Sequence, residues 1–229
     1  MRRALAVVTF AALAGWPAFA SAGNLEVRLG GFFPRADSNL FHDDADLYLK
    51  NLKPLETSDW DGFTGGIAYN SKIATNVELG FNIDGYGRSF DTSYRDYVRP
   101  DGTEIRQTLK FDVVPMGFTL RLVPTRRNAK IAPFVEAGAD VFFYNYEEYG
   151  DFIRFSDPTQ PIISDSFQSD GTGFGFHVGA GVRVPVSSDI SIVGAYRYQF
   201  AKHDMGGDFA GNEIDLSGGS ATLGFNLRF

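Results

Sequence analysis

ATLGFNLRF, residues 221–229, decides how the rest of this chain is read. Ala221, Leu223, Phe225, Leu227 and Phe229 alternate with Thr222, Gly224, Asn226 and Arg228. That is the period of two of a strand with one apolar face. Chain ends are ordinarily loose and polar, so a strand pattern kept up to Phe229 implies neighbours that hold it.

The other end reads differently. Arg2 and Arg3 precede the apolar run Ala4–Ala14, and Ala20-Ser21-Ala22 supplies the small residues of a cleavage site. This is a secretory signal peptide over residues 1–22, with cleavage before Gly23 and cleavage before Ser21 as the alternative. Residues 23–229 then form one domain of an exported protein. No other stretch approaches the ~20 consecutive apolar residues of a membrane helix, a length that barrel strands do not need. The chain has no Cys, so packing and hydrogen bonds alone hold the fold. Its formal net charge of −7 argues against a nucleic-acid partner.

Eight segments alternate like the last one. They are Leu25–Phe33, Phe63–Tyr69, Val77–Asp84, Leu109–Leu122, Val135–Phe143, Gly173–Val184, Ile190–Phe200 and Ile214–Phe229. Two of them change parity. In the fourth, Leu109-Phe111-Val113 gives way to Met116-Phe118-Leu120-Leu122 around Pro115, which reads as a bulge because proline donates no ladder bond. In the eighth, Ile214-Leu216 slips register at Gly218-Gly219. The connectors alternate in length: Ser71–Thr75, Pro124–Lys130 and Pro185–Asp189 are short, while Pro34–Asp59, Ser89–Thr103, Glu147–Gln168 and Asp204–Gly211 are long. The predicted fold is all-β, an eight-stranded antiparallel transmembrane barrel with short periplasmic turns and long extracellular loops. A soluble, lipocalin-like barrel would put these aromatic-rich faces inside and the Gly-rich, charged faces in water, which the composition disfavours.

On these segments, the signal peptide and the terminal Leu227-Arg228-Phe229, the chain resembles the small eight-stranded outer-membrane barrels of Gram-negative bacteria, the OmpA-like and OmpW-like group. The resemblance covers nearly all of residues 23–229. It implies location in the outer membrane among lipids and lipopolysaccharide. It also implies that Phe225, Leu227 and Phe229 form the signal read by the barrel assembly machinery. A monomer is expected.

With the apolar residues facing lipid, the inward charges are Glu26, Glu78, Asp84, Asp112, Glu136 and Asp140 against Arg28, Lys110, Arg121, Arg183, Arg197 and Arg228. Buried charges in a lumen only wide enough for side chains must be paired, and six acids against six bases suit a closed plug. The inward Gly173, Gly175, Gly179 and Gly181 would make room for arginines from across the barrel. The reading is a non-enzymatic barrel with a structural or surface-interaction role. The alternatives are a narrow channel for small hydrophobic compounds, the OmpW-like property, and a lipid-A-modifying enzyme.

No cofactor, metal or catalytic residue is expected. Only His42, His177 and His203 could serve as a base, and there is no Gly-x-Ser-x-Gly elbow. Asp43-Asp44-Ala45-Asp46 misses the EF-hand pattern, with Tyr48 and Leu49 where a ligand and Gly belong. Gly171–Gly181 lacks the phosphate-binding glycine spacing. Trp60, Tyr69, Tyr86, Tyr144, Tyr146 and Tyr198 are read as interfacial girdles.

Overall fold

The computed structural model describes residues 23–35, 52–53, 56–124 and 130–229. The alternating segments form β1 (Gly23–Pro34), β2 (Gly62–Ala74), β3 (Val77–Val98), β4 (Glu104–Leu122), β5 (Ala132–Ile153), β6 (Ile162–Pro185), β7 (Ile190–Asp204), a short β8 (Glu213–Asp215) and β9 (Gly218–Arg228). Neighbouring strands pair antiparallel, β6 pairs with β7, and β9 closes the ring on β1 from Asn24↔Arg228 to Pro34↔Gly218. The terminal strand is thus held on both sides, by β1 and by β7. The result is an eight-stave barrel, β8 being an upward extension of the last stave.

The signal-peptide segment, His42 and the Asp43-Asp44-Ala45-Asp46 stretch lie outside the described residues. Two of the expected long loops are strand instead. Ser89–Val98 continues β3, and the Glu147–Gln168 stretch supplies the upper halves of β5 and β6, paired up to Ile153↔Ile162. The hairpins therefore rise far above the ~10 residues per strand that a bilayer needs.

Neither expected register break occurs. The β4–β5 ladder runs without a shift from Gln107↔Gly150 to Leu122↔Val135, straight through Pro115. The β7 ladder steps from Gln199↔Gly218 on β9 to Lys202↔Asp215 on β8 without gaining or losing a residue. At that junction the Ser217 hydroxyl takes the place of ladder groups, accepting the Ala201 N–H at 3.0 Å and donating to the Ala201 carbonyl at 3.1 Å.

The parity changes in the sequence have another cause. In the lower barrel the outer face is apolar and exposed, as at Phe63, Phe118, Phe174, Leu223 and Phe225. The inner face there carries buried charge, as at Glu26, Arg28, Arg121 and Glu136. Higher up the assignment inverts. Leu109, Phe111, Val113, Phe142, Tyr146, Ile214 and Leu216 are buried inside, while Lys110, Asp112, Glu147 and Asp170 lie on the outer face. Along β5 the inner face turns apolar between Asp140 and Phe142, and the outer face turns polar between Phe143 and Asn145. Lipid outside demands apolar side chains outside; water outside lets the hydrophobic effect draw them in. The backbone continues unchanged while the solvent around it changes.

Two 3-10 turns close the top. Trp60, at the end of Thr57–Trp60, stands edge-on to Phe90 and Phe111 with ring centroids 4.6 and 5.9 Å away. Phe209, at the end of Gly207–Phe209, meets Tyr146 at 5.1 Å. The Tyr86 hydroxyl donates to the Trp60 carbonyl. Trp60, Tyr86, Tyr144 and Tyr146 are therefore interior, not interfacial; only Tyr69 and Tyr198 of the expected girdle lie on the outer face. Above this core a second cluster, Leu52, Tyr94, Ile105 and Ile153, joins the two tall hairpins.

Candidate functional site: the lumen

Charged side chains from five strands meet in the lower lumen in a closed circuit. Arg28 on β1 donates through Nε and Nη2 to the two oxygens of Asp84 on β3, at 2.8 and 2.5 Å. Arg197 on β7 reaches Asp84 Oδ2 at 3.2 Å and Glu136 Oε1 on β5 at 2.9 Å. Arg121 on β4 donates to Glu136 Oε2 at 3.0 Å and to Glu26 Oε2 on β1 at 2.9 Å. Glu26 Oε1 lies 3.5 Å from Arg28 Nη1 and closes the ring. Three guanidinium groups alternate with three carboxylates, so each charge has an opposite on either side. Nearer the periplasm, Arg183 on β6 grips Glu78 on β3 bidentately, at 2.9 and 2.8 Å.

Local sequence makes this possible. The Arg121 guanidinium lies over the Phe134 ring, 4.1 Å from its centroid, an arrangement that holds a planar cation in place. A Cβ at Gly181 would come within 2.4 Å of the Phe134 ring, and one at Gly66 within 1.9 Å of Asp84 Oδ1. The expectation that the β6 glycines clear space for arginines across the barrel is corrected: Gly175, Gly179 and Gly181 abut Phe142, Glu136 and Phe134 on the adjacent β5.

A second closed ring sits on the wall. His177 Nδ1 is 2.5 Å from Asp140 Oδ2 and its Nε2 is 3.1 Å from Thr119 Oγ1. Thr119 donates to Asn82 Oδ1 at 2.7 Å, and Asn82 Nδ2 returns to Asp140 Oδ1 at 3.4 Å. Hydroxyl, imidazole and carboxylate stand in the order of a hydrolytic triad. All three are buried, and the hydroxyl hydrogen is committed to Asn82. The cavity of about 30 Å³ above the charge circuit is bounded by Arg28, Asp84, Tyr86, Glu136, Arg197 and Gln199 and by none of the His177 ring. It has room for water and little else. Asn82 and Thr119 were not singled out from sequence; their signal was inward parity at the height of Asp140 and His177.

Of the twelve residues expected in the lumen network, Glu26, Arg28, Glu78, Asp84, Arg121, Glu136, Arg183 and Arg197 are brought together by ion pairs, and Asp140 joins His177. Three are not in it. Lys110 and Asp112 pair with each other at 2.8 Å on the outer face, because β4 does not change parity at Pro115. Arg228 is exposed at the periplasmic rim. Phe225, Leu227 and Phe229 are exposed on the outer face. His203 stands edge-on to Tyr144 at 5.7 Å. Among the described residues no three His, Asp or Glu side chains are grouped to hold a metal ion.

The family model described as the outer membrane protein beta-barrel domain matches residues 4–229. The chain belongs to that family. Outer-membrane location and the barrel fold follow. Among solved structures, this outer-membrane barrel is similar to the outer membrane protein OprG of Pseudomonas aeruginosa, at 13% identity over 91% of this chain and 97% of that one, with a TM-score of 0.56. Neisserial surface protein A gives 16% identity over 91% and 97%, with a TM-score of 0.49. The N-terminal barrel domain of Pseudomonas aeruginosa OprF gives 12% over 91% and 98%, at 0.44. No curated protein sequence matches the chain.

Proposed function

We propose that this outer-membrane barrel is closed and non-enzymatic, and that it works through the tall hairpins it presents at the cell surface. The observation that carries this reading is that side chains meet across the lumen in two successive layers. A ring of six paired charges occupies the lower part, an aromatic core occupies the upper part, and a cavity of about 30 Å³ lies between them. A passage for hydrophobic compounds would need an apolar path. Here an apolar solute leaving the aromatic storey would have to displace fully paired charges, and each uncompensated charge costs several kcal/mol.

The reading against catalysis rests on the His177 ring, whose hydroxyl is buried and already donates to Asn82. The test is conductance of the purified full-length barrel in planar bilayers. No steady opening is expected, and Arg121→Ala together with Glu136→Ala should introduce openings. Large steady conductance in the wild type would replace this reading with the channel.

A further inference from the structure

Above the membrane, β6 loses its neighbour. It stays paired with β5 up to Ile153↔Ile162, but β7 joins it only from Gly175↔Ala201. Among the described residues no strand lies along the other side of β6 between Ile162 and Phe174; the Gly207–Phe209 turn packs against it at Gln168, and the stretch from Ile162 to Phe167 is the open part. An unpaired edge of this length is a template for another chain. Two of its N–H groups are guarded by carboxylates: Ser166 donates to Asp165 Oδ1 at 2.9 Å, and Gln168 donates to Asp208 Oδ2 at 2.9 Å. Ser166 and Gln168 thus turn their amides away from β5, and by the strand period so do Ile162 and Ser164. Ser164, Asp165, Ser166 and Gln168 are all exposed.

The surroundings are acidic. Asp165 and Asp208 hold the edge, Asp170 follows, and Glu147 lies beside Ser166, its carboxylate accepting the Ser166 hydroxyl at 3.3 Å. Two cations of the region are engaged elsewhere, Arg99 with Asp151 and Lys202 with Glu213 at 2.8 Å, and exposed Arg154, at the Pro161 end, faces a larger number of acids.

We infer that the edge of β6 from Ile162 to Gln168 is a docking strand for an extended basic peptide segment of a partner protein, which adds to the sheet by main-chain hydrogen bonds. The guarding carboxylates make the site selective. A neutral or acidic strand meets amides that are already occupied and charges that repel it. A strand bearing Lys or Arg draws Asp165 and Asp208 onto its own side chains and frees the Ser166 and Gln168 amides for pairing. This deepens the surface-interaction reading and rests on it, but not on whether the lumen conducts.

The test uses the full-length barrel in zwitterionic micelles and a fluorescein-labelled nine-residue peptide of alternating Lys and Thr, followed by anisotropy. Three comparison probes are the Glu/Thr peptide, the Lys/Thr peptide methylated on alternate backbone amides, and the Ser164→Pro barrel. Ser164 faces the edge, so proline there spares the β5 ladder, and an unchanged heat-dependent gel shift verifies its folding. The Lys/Thr peptide should bind saturably, at least tenfold more tightly than the Glu/Thr and methylated peptides. Ser164→Pro, and Asp165→Asn with Asp208→Asn, should each weaken it at least tenfold. No saturable binding, or binding within twofold for the methylated peptide or for Ser164→Pro, overturns the docking strand; the latter results would mean charge attraction alone. Loss of binding in a non-conducting barrel removes only this inference, whereas a conducting barrel that binds removes only the closed-lumen reading.

Discussion

Arg121 is the residue on which the lower lumen turns. It is about 1% exposed, touches two carboxylates from β1 and β5, and rests on the Phe134 ring. Removing its guanidinium takes from Glu26 and from Glu136, both of them buried, one of the two opposite charges that each has. Arg121→Leu is therefore expected to cost about 3–5 kcal/mol, measured by urea unfolding in lipid vesicles. Glu26 keeps Arg28 and Glu136 keeps Arg197, so the barrel should still assemble. An effect below 1 kcal/mol would mean that the circuit contributes little to holding the barrel together.

At the scale of the strand, β4 separates two readings of one pattern. If Leu109, Phe111 and Val113 faced lipid, Phe111 would tolerate truncation and Lys110 would not tolerate leucine. With Phe111 at 1% exposure against Trp60, Tyr86 and Tyr146, Phe111→Ala should cost about 3–5 kcal/mol. Lys110→Leu loses only an exposed pair with Asp112 and should cost no more than about 1 kcal/mol, by the same unfolding assay. The strands, their number and their closure were legible in the sequence because period two is imposed wherever one face is buried. Eight of the lumen charges were legible for the same reason. The upper storey is not legible in this way, because alternation reports a difference between two faces and not which face is inside. A proline at the switch in β4, and a pair of glycines at the switch before β9, offered a bulge as the simpler explanation. The tall hairpins read as loops in the sequence because Glu147–Gln168 is polar on the side that meets water, yet Phe152 and Ile153 are buried there. The His177 ring was half-visible, since Asn82 and Thr119 carry no charge to draw notice.

For the whole molecule, the inversion can be read directly, because the chain has no cysteine of its own. Single cysteines at Lys110, Asp112, Phe118 and Leu120 in β4 all project outward. A membrane-impermeant maleimide added to intact cells should label the first two and not the last two. Labelling at position 118, or protection at 110, would move the boundary. That boundary fixes how deep the molecule sits. Outside, it lies between Phe143 and Asn145 on β5; inside, between Asp140 and Phe142. Sliding the barrel outward by one residue pair would put Phe143 into water, and sliding it inward would draw Asn145 and then Glu147 into hydrocarbon. The extracellular rim is therefore the fixed datum of the structure. In a bilayer thicker or thinner than the one it fits, adjustment falls on the opposite rim and on local deformation of the lipid, and the hairpins keep a constant height above the cell.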